Sequence, residues 1–383
     1  MITPELTDVI IDYLHDDRRA LGTCGLVCRS WLPSSRFHLF STVQIYFFDV
    51  DTALPIICSP TSTIPPYVRH LELEDAGLEV GGYSYPQWLN EGLLKLPIFG
   101  ALESLSLAHV AWGSLTVETR SSLLNMTRGL KRLELEYMQF GTVEQALDFF
   151  SSAPSLESLS LGSIQCHAEN APPTKTNKLR LKQVTFGGDS YTLPLIDWLC
   201  SQPAPSVETL NLTLVTMMQI PYISRYLKVL GPTLQHLGVS CANLDNHGEV
   251  QVAFCKEIDL AHNPSLRTIT FDGLVLYADS PGSQNCLWIV DVLSGISSPF
   301  VKLVTLAIFA NAPQEISSLN LPALAAFLSG GSGVSAMRSM SVRFIVWGNI
   351  DRTEAEVAIT ESLHDLNKQR RLEFSDHRIS MDS

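Results

Sequence analysis

The residues that most often carry chemistry are scattered along this 383-residue chain. Its eight cysteines include no Cys-x-x-Cys pair, so the spacings of zinc and redox sites are missing. Cys166 and His167 are adjacent in sequence, whereas a catalytic cysteine and its base must face each other in the fold. The glycine pair Gly187-Gly188 lacks the following Lys and Ser or Thr of a phosphate-binding loop. We therefore expect no enzyme activity, no metal and no cofactor.

The composition is that of a folded and acidic protein. Hydrophobic residues make up 45% of the chain and charged residues 17%, which predicts a large core. A net charge of -13 repels phosphate groups, so nucleic acid is not an expected partner. No apolar run reaches the roughly 18 residues of a membrane span, and Glu5, Asp8 and Asp12 interrupt the segment where a signal peptide would be apolar. We expect an intracellular protein, in the cytoplasm, the nucleus or both.

The first forty residues predict a small module of two or three short helices. Thr3 can cap a helix whose first position is Pro4. The apolar residues that follow at helical spacing are Leu6, Val9, Ile10, Tyr13 and Leu14. A module this small is stable only when it leans on a partner or on the rest of the chain.

A second helix is expected to begin at Asp16 or Asp17. Its interior glycines, Gly22 and Gly25, each cost about 1 kcal/mol relative to alanine. Its apolar side offers Leu21, Cys24 and Leu26. A third element runs through residues 27–31, and Pro33 either breaks it or restarts it.

The module also carries a set of motif residues. They are Pro4-Glu5-Leu6, Ile10, Ile11, Leu14 and Leu21, followed by Leu26-Val27-Cys28-Arg29-Ser30-Trp31 and by the tail from Ser35 to Phe40. In this combination residues 1-40 resemble an F-box, the docking motif of ubiquitin-ligase substrate receptors, in the version common in mushroom-forming fungi. Family members usually open with Leu-Pro, where this chain has Ile2 and Thr3.

The resemblance implies that residues 1-40 bind the adaptor subunit of a cullin-based ubiquitin ligase. The residues that would be buried in that contact or beneath it are Pro4, Leu6, Ile10, Leu14, Leu21, Val27 and Trp31. An alternative that needs no partner is a cap, because the terminal units of a repeat array need a cover with a polar outer face. Docking and capping are both open on the sequence alone.

From about residue 41 onward one pattern recurs: apolar, two residues, apolar, one residue, apolar. Its instances begin at Val68, Leu102, Leu130, Leu156, Leu181, Val207, Leu234, Leu266, Leu303 and Met337. The intervals of roughly 25–37 residues are those of leucine-rich repeats. Each apolar-x-apolar predicts a short strand, with further strands at 43–47 and 372–374. Residues 41-383 are therefore expected to form an α/β solenoid, a horseshoe of stacked repeats.

The segments between the predicted strands are long enough for helices, and residues 142–153 illustrate one. Thr142 and Gln145 can form a capping box at its start, and Pro154 ends it. The residues that line its apolar face are Val143, Ala146, Leu147 and Phe150.

One repeat position departs from the usual pattern. Leucine-rich repeats usually have Asn or Cys three residues after the last strand leucine. Here the residues at that position are Ala76, Val110, Met138, Ile164, Val215, Ala242 and Leu274. The side-chain ladder that normally satisfies the loop backbone is therefore mostly absent, and an irregular horseshoe is expected.

The concave face of such a solenoid is formed by side chains between and beside the strand leucines. The candidates for binding a protein substrate are Glu72, Glu74, Arg132, Glu134, Ser160, Asn211, Thr270, Phe309 and Arg343. An acidic patch gives way along the chain to small hydroxyls and then to aromatic character. Ser and Thr also suit exposed strands for purely structural reasons.

Together these features predict a substrate-recognition adaptor that is not itself an enzyme. The resemblance to F-box proteins implies that the adaptor would hold a protein substrate near the ubiquitin-conjugating enzyme and act by proximity. The alternative is a repeat scaffold for protein interactions with no ligase role, whose N-terminal helices only cap. An enzyme on a repeat fold would need a polar pocket with convergent titratable groups, which the sequence does not show.

Overall fold

The computed structural model describes residues 3–75, 88–166, 179–188, 192–202, 205–241, 249–276, 287–329 and 340–375. The chain divides into two compact units, Met1–Leu179 and Arg180–Ser383. Three helices between Pro4 and Phe40 lie within the first unit. Over the described ranges, no helix has the length and apolar character needed to cross a membrane.

The first unit opens with three helices and then alternates strands with helices. Its helices are α1 (Pro4–Asp12), α2 (Arg18–Val27), α3 (Leu32–Phe40), α4 (Val50–Ile57), α5 (Leu89–Gly92), α6 (Val117–Met126) and α7 (Val143–Ser151). Its strands are β1 (Thr42–Tyr46), β2 (His70–Glu74), β3 (Ser104–Ala108), β4 (Arg132–Glu136), β5 (Gln139–Phe140), β6 (Ser158–Gly162) and β7 (Gln165–Cys166). Short 3-10 helices at 65–67, 93–95, 112–114 and 127–129 complete its connections.

Five of these strands are parallel and lie in sequence order, β1-β2-β3-β4-β6. Their register follows the repeat pattern, because Leu71 pairs with Leu105, Leu105 with Leu133, and Leu133 with Leu159. All four leucines are buried, and the residues between them point to the opposite side of the sheet. The predicted strands of this unit are confirmed.

Helix α7 shows how the sequence sets the start of a helix. The Thr142 hydroxyl accepts a hydrogen bond from the Gln145 backbone N–H at 3.3 Å, as predicted. The Gln145 side chain accepts from the N–H of Gly141 at 3.0 Å, one residue before the expected partner. The core side of the helix consists of Val143, Ala146, Leu147, Phe149 and Phe150.

Three consecutive strands of the first unit end in a residue with left-handed backbone. These residues are His109, Tyr137 and Ser163, with φ of 58°, 49° and 52°, each two positions after the second strand leucine. The apolar residues that follow them, Val110, Met138 and Ile164, are fully buried. The position that usually holds Asn or Cys thus belongs to the core here.

A second, shorter parallel ladder follows this turn. The Gln139 N–H donates to the Val110 carbonyl at 2.9 Å, and the Gln165 N–H donates to the Met138 carbonyl at 2.8 Å. Strand β5 consequently pairs with β7, and Ala111 forms a parallel bridge to Gln139. Backbone groups therefore satisfy one another where a side-chain ladder is absent. The predicted positions Ala76, Ala242 and Met337 lie outside the described residues.

The second unit continues the alternation of strands and helices. Its strands are β8 (Gln183–Phe186), β9 (Thr209–Val215), β10 (His236–Cys241), β11 (Thr268–Val275), β12 (Leu303–Phe309), β13 (Ser341–Trp347) and β14 (Leu372–Ser375). Its helices are α8 (Leu193–Cys200), α9 (Ile220–Leu230), α10 (Glu249–Glu257), α11 (Leu287–Ser294), α12 (Pro313–Ile316), α13 (Leu321–Ser329), α14 (Arg352–Ser362) and α15 (His364–Lys368). All seven strands are parallel and follow sequence order.

The last two repeats are offset from their sequence assignment. The pattern aligned Phe271 with Ile308 and Val342, whereas the strands pair Phe271 with Leu306 and Leu306 with Phe344. Strand β12 is buried at five consecutive residues, so two frames of the apolar pattern fit it equally well. Because side chains alternate, an offset of two residues leaves the same side chains facing outward.

Candidate docking surface

Helix α1 begins where the sequence predicts. The Thr3 hydroxyl caps it by accepting from the Leu6 N–H at 3.5 Å, and the Thr7 hydroxyl donates to the Thr3 carbonyl at 3.2 Å. Pro4 occupies the first turn. Backbone hydrogen bonds, and then the Thr3 hydroxyl, lower the pKa of the Glu5 carboxyl. Threonine at the place where an F-box usually has proline therefore still starts the helix.

Helix α1 turns most of its apolar side chains outward. Ile11 is fully buried and anchors the helix. The exposed apolar residues are Leu6, Val9, Ile10 and Tyr13, at 57%, 51%, 42% and 86% exposure. Their spacing of three, four and seven residues puts them on one continuous face. Monomeric soluble proteins rarely leave large apolar patches uncovered, so this face is a candidate contact surface.

Helix α2 adds two apolar residues at its end. Its start is capped by Asp17, whose Oδ1 accepts from the Ala20 N–H at 2.9 Å. Leu21 and Cys24 are buried as predicted, but Leu26, predicted on the same side, is 88% exposed. Two residues span about 200° around a helix, which carries Leu26 away from Cys24. The last helical residue, Val27, is also exposed.

Helix α3 supports the first two. Pro33 restarts the chain, because α2 ends at Val27 and α3 begins at Leu32 with Pro33 in its first turn. Trp31 precedes the helix, and its carbonyl accepts from the N–H and the hydroxyl of Ser35 at 3.1 and 2.8 Å. Of the two alternatives for Pro33, breaking or restarting, the second is correct.

Two polar contacts fasten α1 to α3. The Ser34 hydroxyl donates to Asp8 Oδ1, and His38 Nε2 lies 2.7 Å from Asp12 Oδ1. Asp8 and Asp12 are one turn apart, as are Ser34 and His38, so the helices meet along two successive turns. These contacts help to set the direction of the exposed face of α1.

Six of the seven predicted adaptor-binding residues divide into three groups by burial. Leu6, Ile10 and Val27 are exposed, Leu14 and Trp31 are half-buried, Leu21 is buried, and Pro4 lies at the helix start with its side chain outside the described part. The exposed large apolar residues of α1 and α2 that the sequence-based set left out are Val9, Tyr13 and Leu26, and α3 adds Phe37. The sequence signal for Val9 and Tyr13 was their spacing of three and seven residues from Leu6, which puts them on its face of the helix. The signal for Leu26 was its position two residues after Cys24, which puts it on a different side of the helix.

Neither comparison with known proteins identifies this arrangement. No model of a known protein family matches the chain, and no curated protein matches it. Its function is therefore inferred from its own residues and geometry.

Among the described cysteines, the one with an exposed side chain is Cys28 of the N-terminal helices. Cys28 follows α2 and is exposed, and its Sγ lies 3.1 Å from the Ser30 hydroxyl. That hydroxyl, and then a backbone hydrogen bond from Trp31, lower the pKa of the Cys28 thiol. Burial raises the pKa of Cys166 and of Cys241 to about 12. Among the described residues, no group of His, Cys, Asp or Glu could hold a metal ion.

The predicted substrate-binding residues of the first unit lie on the outward side of the strands. Strand pairing places Glu72, Glu134 and Ser160 in one row across β2, β3, β4 and β6. Glu74 belongs to the next row toward the strand ends, and Arg132 to the row before. These five residues therefore share one side of one sheet.

Three of the four predicted residues of the second unit share a row as well. Asn211, Thr270 and Arg343 are aligned across β9 to β13. The Asn211 side chain lies over Gly238 of β10, where a Cβ would come within 2.5 Å of its Oδ1. Asn211 thus covers a neighbouring strand.

Two of the predicted substrate-binding residues in the second unit, Arg343 and Phe309, already contact other side chains of the chain. Arg343 donates from Nε and Nη2 to Glu373 Oε2 at 3.1 and 2.8 Å. The Phe309 ring meets the Trp347 ring edge to face, with centroids 4.7 Å apart. A partner at this end would meet a neutralised guanidinium near the start of β13 and an aromatic pair at its end.

Proposed function

We propose that the protein is a substrate receptor of a cullin-based ubiquitin ligase. The F-box-like module at residues 1–40 binds the adaptor subunit of the ligase. The strands from residue 41 onward belong to a leucine-rich-repeat solenoid that binds a protein substrate. The chain contributes no chemical group to ubiquitin transfer, because holding a substrate near the conjugating enzyme raises its effective concentration.

The observation that carries this proposal is the exposed apolar face of α1. Leu6, Ile10 and Tyr13 point away from the module although Ile11 of the same helix is fully buried. Covering apolar surface contributes roughly 25 cal/mol per Å². A partner that covers this face and the end of α2 would gain that free energy without rearranging the core beneath it.

The same face argues against a cap. A terminal cap buries its apolar side on the neighbouring repeat and presents a polar surface to solvent. Here the exposed side of α1 carries four large apolar residues, and the buried side carries Ile11 and Thr7. This distribution favours docking over capping.

A pull-down with the purified ligase adaptor tests the proposal. The full chain should retain the adaptor, and L6E/I10E should abolish retention because two charges would be forced into an apolar contact. The matched control is I98E/V117E, which changes two apolar residues that are 93% and 65% exposed elsewhere in the first unit. This control should retain the adaptor.

Circular dichroism of both variants separates lost binding from lost folding. A wild-type chain that fails to bind the adaptor would overturn the proposal, and the chain would then be interpreted as a scaffold. Equal loss of binding in L6E/I10E and I98E/V117E would also contradict docking through α1.

A further inference from the structure

Strand β1 forms an edge of the sheet. It is the first strand in the sheet order and pairs with β2 on one side. The Ser41 carbonyl directly before β1 accepts from the N–H groups of Arg69 and His70 at 2.9 Å, so it faces β2. Because main-chain groups alternate in direction along a strand, those of Thr42 and Gln44 face away from β2. Open donors and acceptors at a sheet edge favour the pairing of a further strand.

The outward main-chain groups of β1 are satisfied at one end of the strand and open before it. The Tyr46 N–H donates to Asp49 Oδ1 at 2.8 Å, and the Tyr46 carbonyl accepts from the Asp49 N–H at 3.1 Å. Over the described ranges, no hydrogen bond uses the main-chain N–H or carbonyl of Thr42 or Gln44. The open stretch is therefore short, which suits a peptide segment better than the edge of another sheet.

The side chains of β1 also lack a neighbour on the outer side. Val43 is the register partner of Leu71, which in turn pairs with Leu105. The two leucines are fully buried, whereas Val43 is half-buried. Each leucine has a strand on both sides, and Val43 has one on a single side. A strand added outside β1 would give Val43 its missing neighbour.

An apolar cavity adjoins Val43 at the outer side of β1. It has a volume of about 220 Å³ and lies between β1, the end of α3 and α4. Its apolar lining includes Leu39, Phe40, Val43, Ala53 and Ile56. Ile56 is 61% exposed, so the cavity is accessible from solvent. A cavity of roughly 150 Å³ holds a benzene ring, so this one accommodates a single Leu or Phe side chain.

Arg18 adds a positive charge to the cavity. It is the one charged residue among the described residues that line the cavity, and it forms no ion pair with any of the described residues. Its neighbour Asp17 caps α2 by accepting from the Ala20 N–H. Arg18 begins α2, where the helix dipole disfavours a cation. A carboxylate beside Arg18 would offset that repulsion, so an acidic ligand is favoured.

We propose that the outer edge of β1 binds an acidic extended segment of a partner protein as an added strand. The main chain of the segment bonds to Thr42 and Gln44, one apolar side chain enters the cavity, and a carboxylate meets Arg18. Side chains two residues apart lie on the same side of an extended chain, about 6.6 Å from each other. The segment therefore has Asp or Glu two positions from its Leu or Phe.

Fluorescence anisotropy with labelled peptides and the full chain tests the inference. The probe is Ser-Glu-Thr-Leu-Thr-Glu-Ser with blocked ends, which puts Leu and a Glu on one side for either strand direction. A second peptide has Lys in place of Glu, and a third has Asn in place of Leu. The probe should bind about tenfold more tightly than either of them. An equal affinity for the probe and for either control peptide would overturn the inference.

Main-chain methylation distinguishes an added strand from simple filling of the cavity. N-methyl groups on Glu and Leu remove the donors of one edge of the probe, and N-methyl groups on the two Thr remove those of the other edge. An added strand turns one edge to β1, so one methylated peptide should lose about tenfold in affinity and the other should bind as the probe does. Equal affinities of the two methylated peptides would exclude an added strand.

Substitutions in the chain locate the site. R18E should weaken binding of the probe about fivefold and strengthen binding of the Lys peptide, because the charge at the cavity is reversed. The matched control R19E changes the next residue of α2, which is also exposed, and should change neither affinity more than about twofold. Equal effects of R18E and R19E would mean that net charge alone drives binding, and the inference would fail.

A53F should abolish binding of the probe by filling the cavity, and circular dichroism checks that this variant folds. Unchanged binding by folded A53F would contradict the inference. Sedimentation of the chain alone examines a second copy as the occupant of the edge. Self-association that A53F removes, without binding of the probe, would assign the edge to a second copy and overturn the inference.

The adaptor pull-down keeps this inference apart from the proposed function, because the edge of β1 and the apolar face of α1 use different residues. R18E should retain the ligase adaptor, and L6E/I10E should bind the probe as the wild type does. A chain that binds the probe but no adaptor would support the added strand and remove the ligase role. A chain that binds the adaptor but not the probe would do the reverse.

Discussion

His38 Nε2 lies 2.7 Å from Asp12 Oδ1, and this contact joins the last helix of the N-terminal module to the first. The other anchors of α1 are few, since Ile11 and Thr7 are the residues that it buries. The His38 side chain is only 17% exposed, whereas that of Asp12 is 63% exposed. The position of the exposed apolar face therefore depends on a small number of contacts.

H38Q should loosen α1 and leave the remaining structure intact. A partly exposed side-chain hydrogen bond contributes about 1 kcal/mol, so local opening of α1 should rise about fivefold. Hydrogen–deuterium exchange measures this as faster exchange confined to the amides of α1. H262Q removes an exposed pair with Asp259 in the second unit and should leave α1 unchanged. Faster exchange throughout the first unit would contradict a local role.

G348A and G22A should shift stability in opposite directions. Gly348 has φ of 117°, and a Cβ there would lie 2.2 Å from the Ala310 carbonyl oxygen, so alanine should destabilise by roughly 2 kcal/mol. Gly22 lies inside α2 with nothing within 4 Å of its Cβ position, so alanine should stabilise by about 1 kcal/mol. Urea unfolding midpoints measure both changes. A stabilising G348A would contradict a left-handed backbone at Gly348.

Neutral His236 should support stability only above mildly acidic pH. Burial, and then Arg267, hold its pKa below the ordinary value of 6.5, and Nδ1 lies 2.8 Å from the Thr268 hydroxyl. The unfolded chain then binds the proton more readily. This contribution is present above pH 6.5 and is lost as pH falls through the folded-state pKa. Between about pH 7.5 and about pH 5, H236Q should lose less urea resistance than the wild type. Equal losses would exclude His236 as a cause.

Cys28 should be the first of the described cysteines to react with iodoacetamide. It is exposed and its pKa is lowered, whereas burial raises the pKa of Cys166 and Cys241 to about 12. A mass-spectrometric time course with C28S as control measures the rates. Because Cys28 follows Val27, bound adaptor should slow its alkylation. An unchanged rate under saturating adaptor would argue against contact at Val27.

The strands were predictable because each repeat buries the same positions of its strand against its neighbours. Leu105 and Leu133 must be buried against neighbours that bury the same positions, so periodicity alone places them. The cap at Thr3 was also predictable, since a hydroxyl before Pro4 has few other local uses. Both features depend on residues close together in sequence.

Other features depend on contacts that the sequence does not reveal. The frame of β12 is ambiguous because Val304 to Ile308 are all apolar or buried, and only pairing with β11 decides it. The exposure of Leu26 depends on where α2 ends relative to α3. The ladder at Gln139 and Gln165 is made by backbone atoms, which carry no sequence signature.

The left-handed position near the strand ends keeps its side chain out of the core. Main-chain bonds of adjacent repeats hold the turn, and an L-residue there costs roughly 1–2 kcal/mol. The chain nevertheless has an imidazole, a phenol and a hydroxymethyl group at His109, Tyr137 and Ser163, and an isobutyl group at Leu214 inside β9. Unbranched substitutions at these positions should change the surface chemistry of the strand ends at about the backbone cost of the residue they replace, whereas β-branched side chains should cost more.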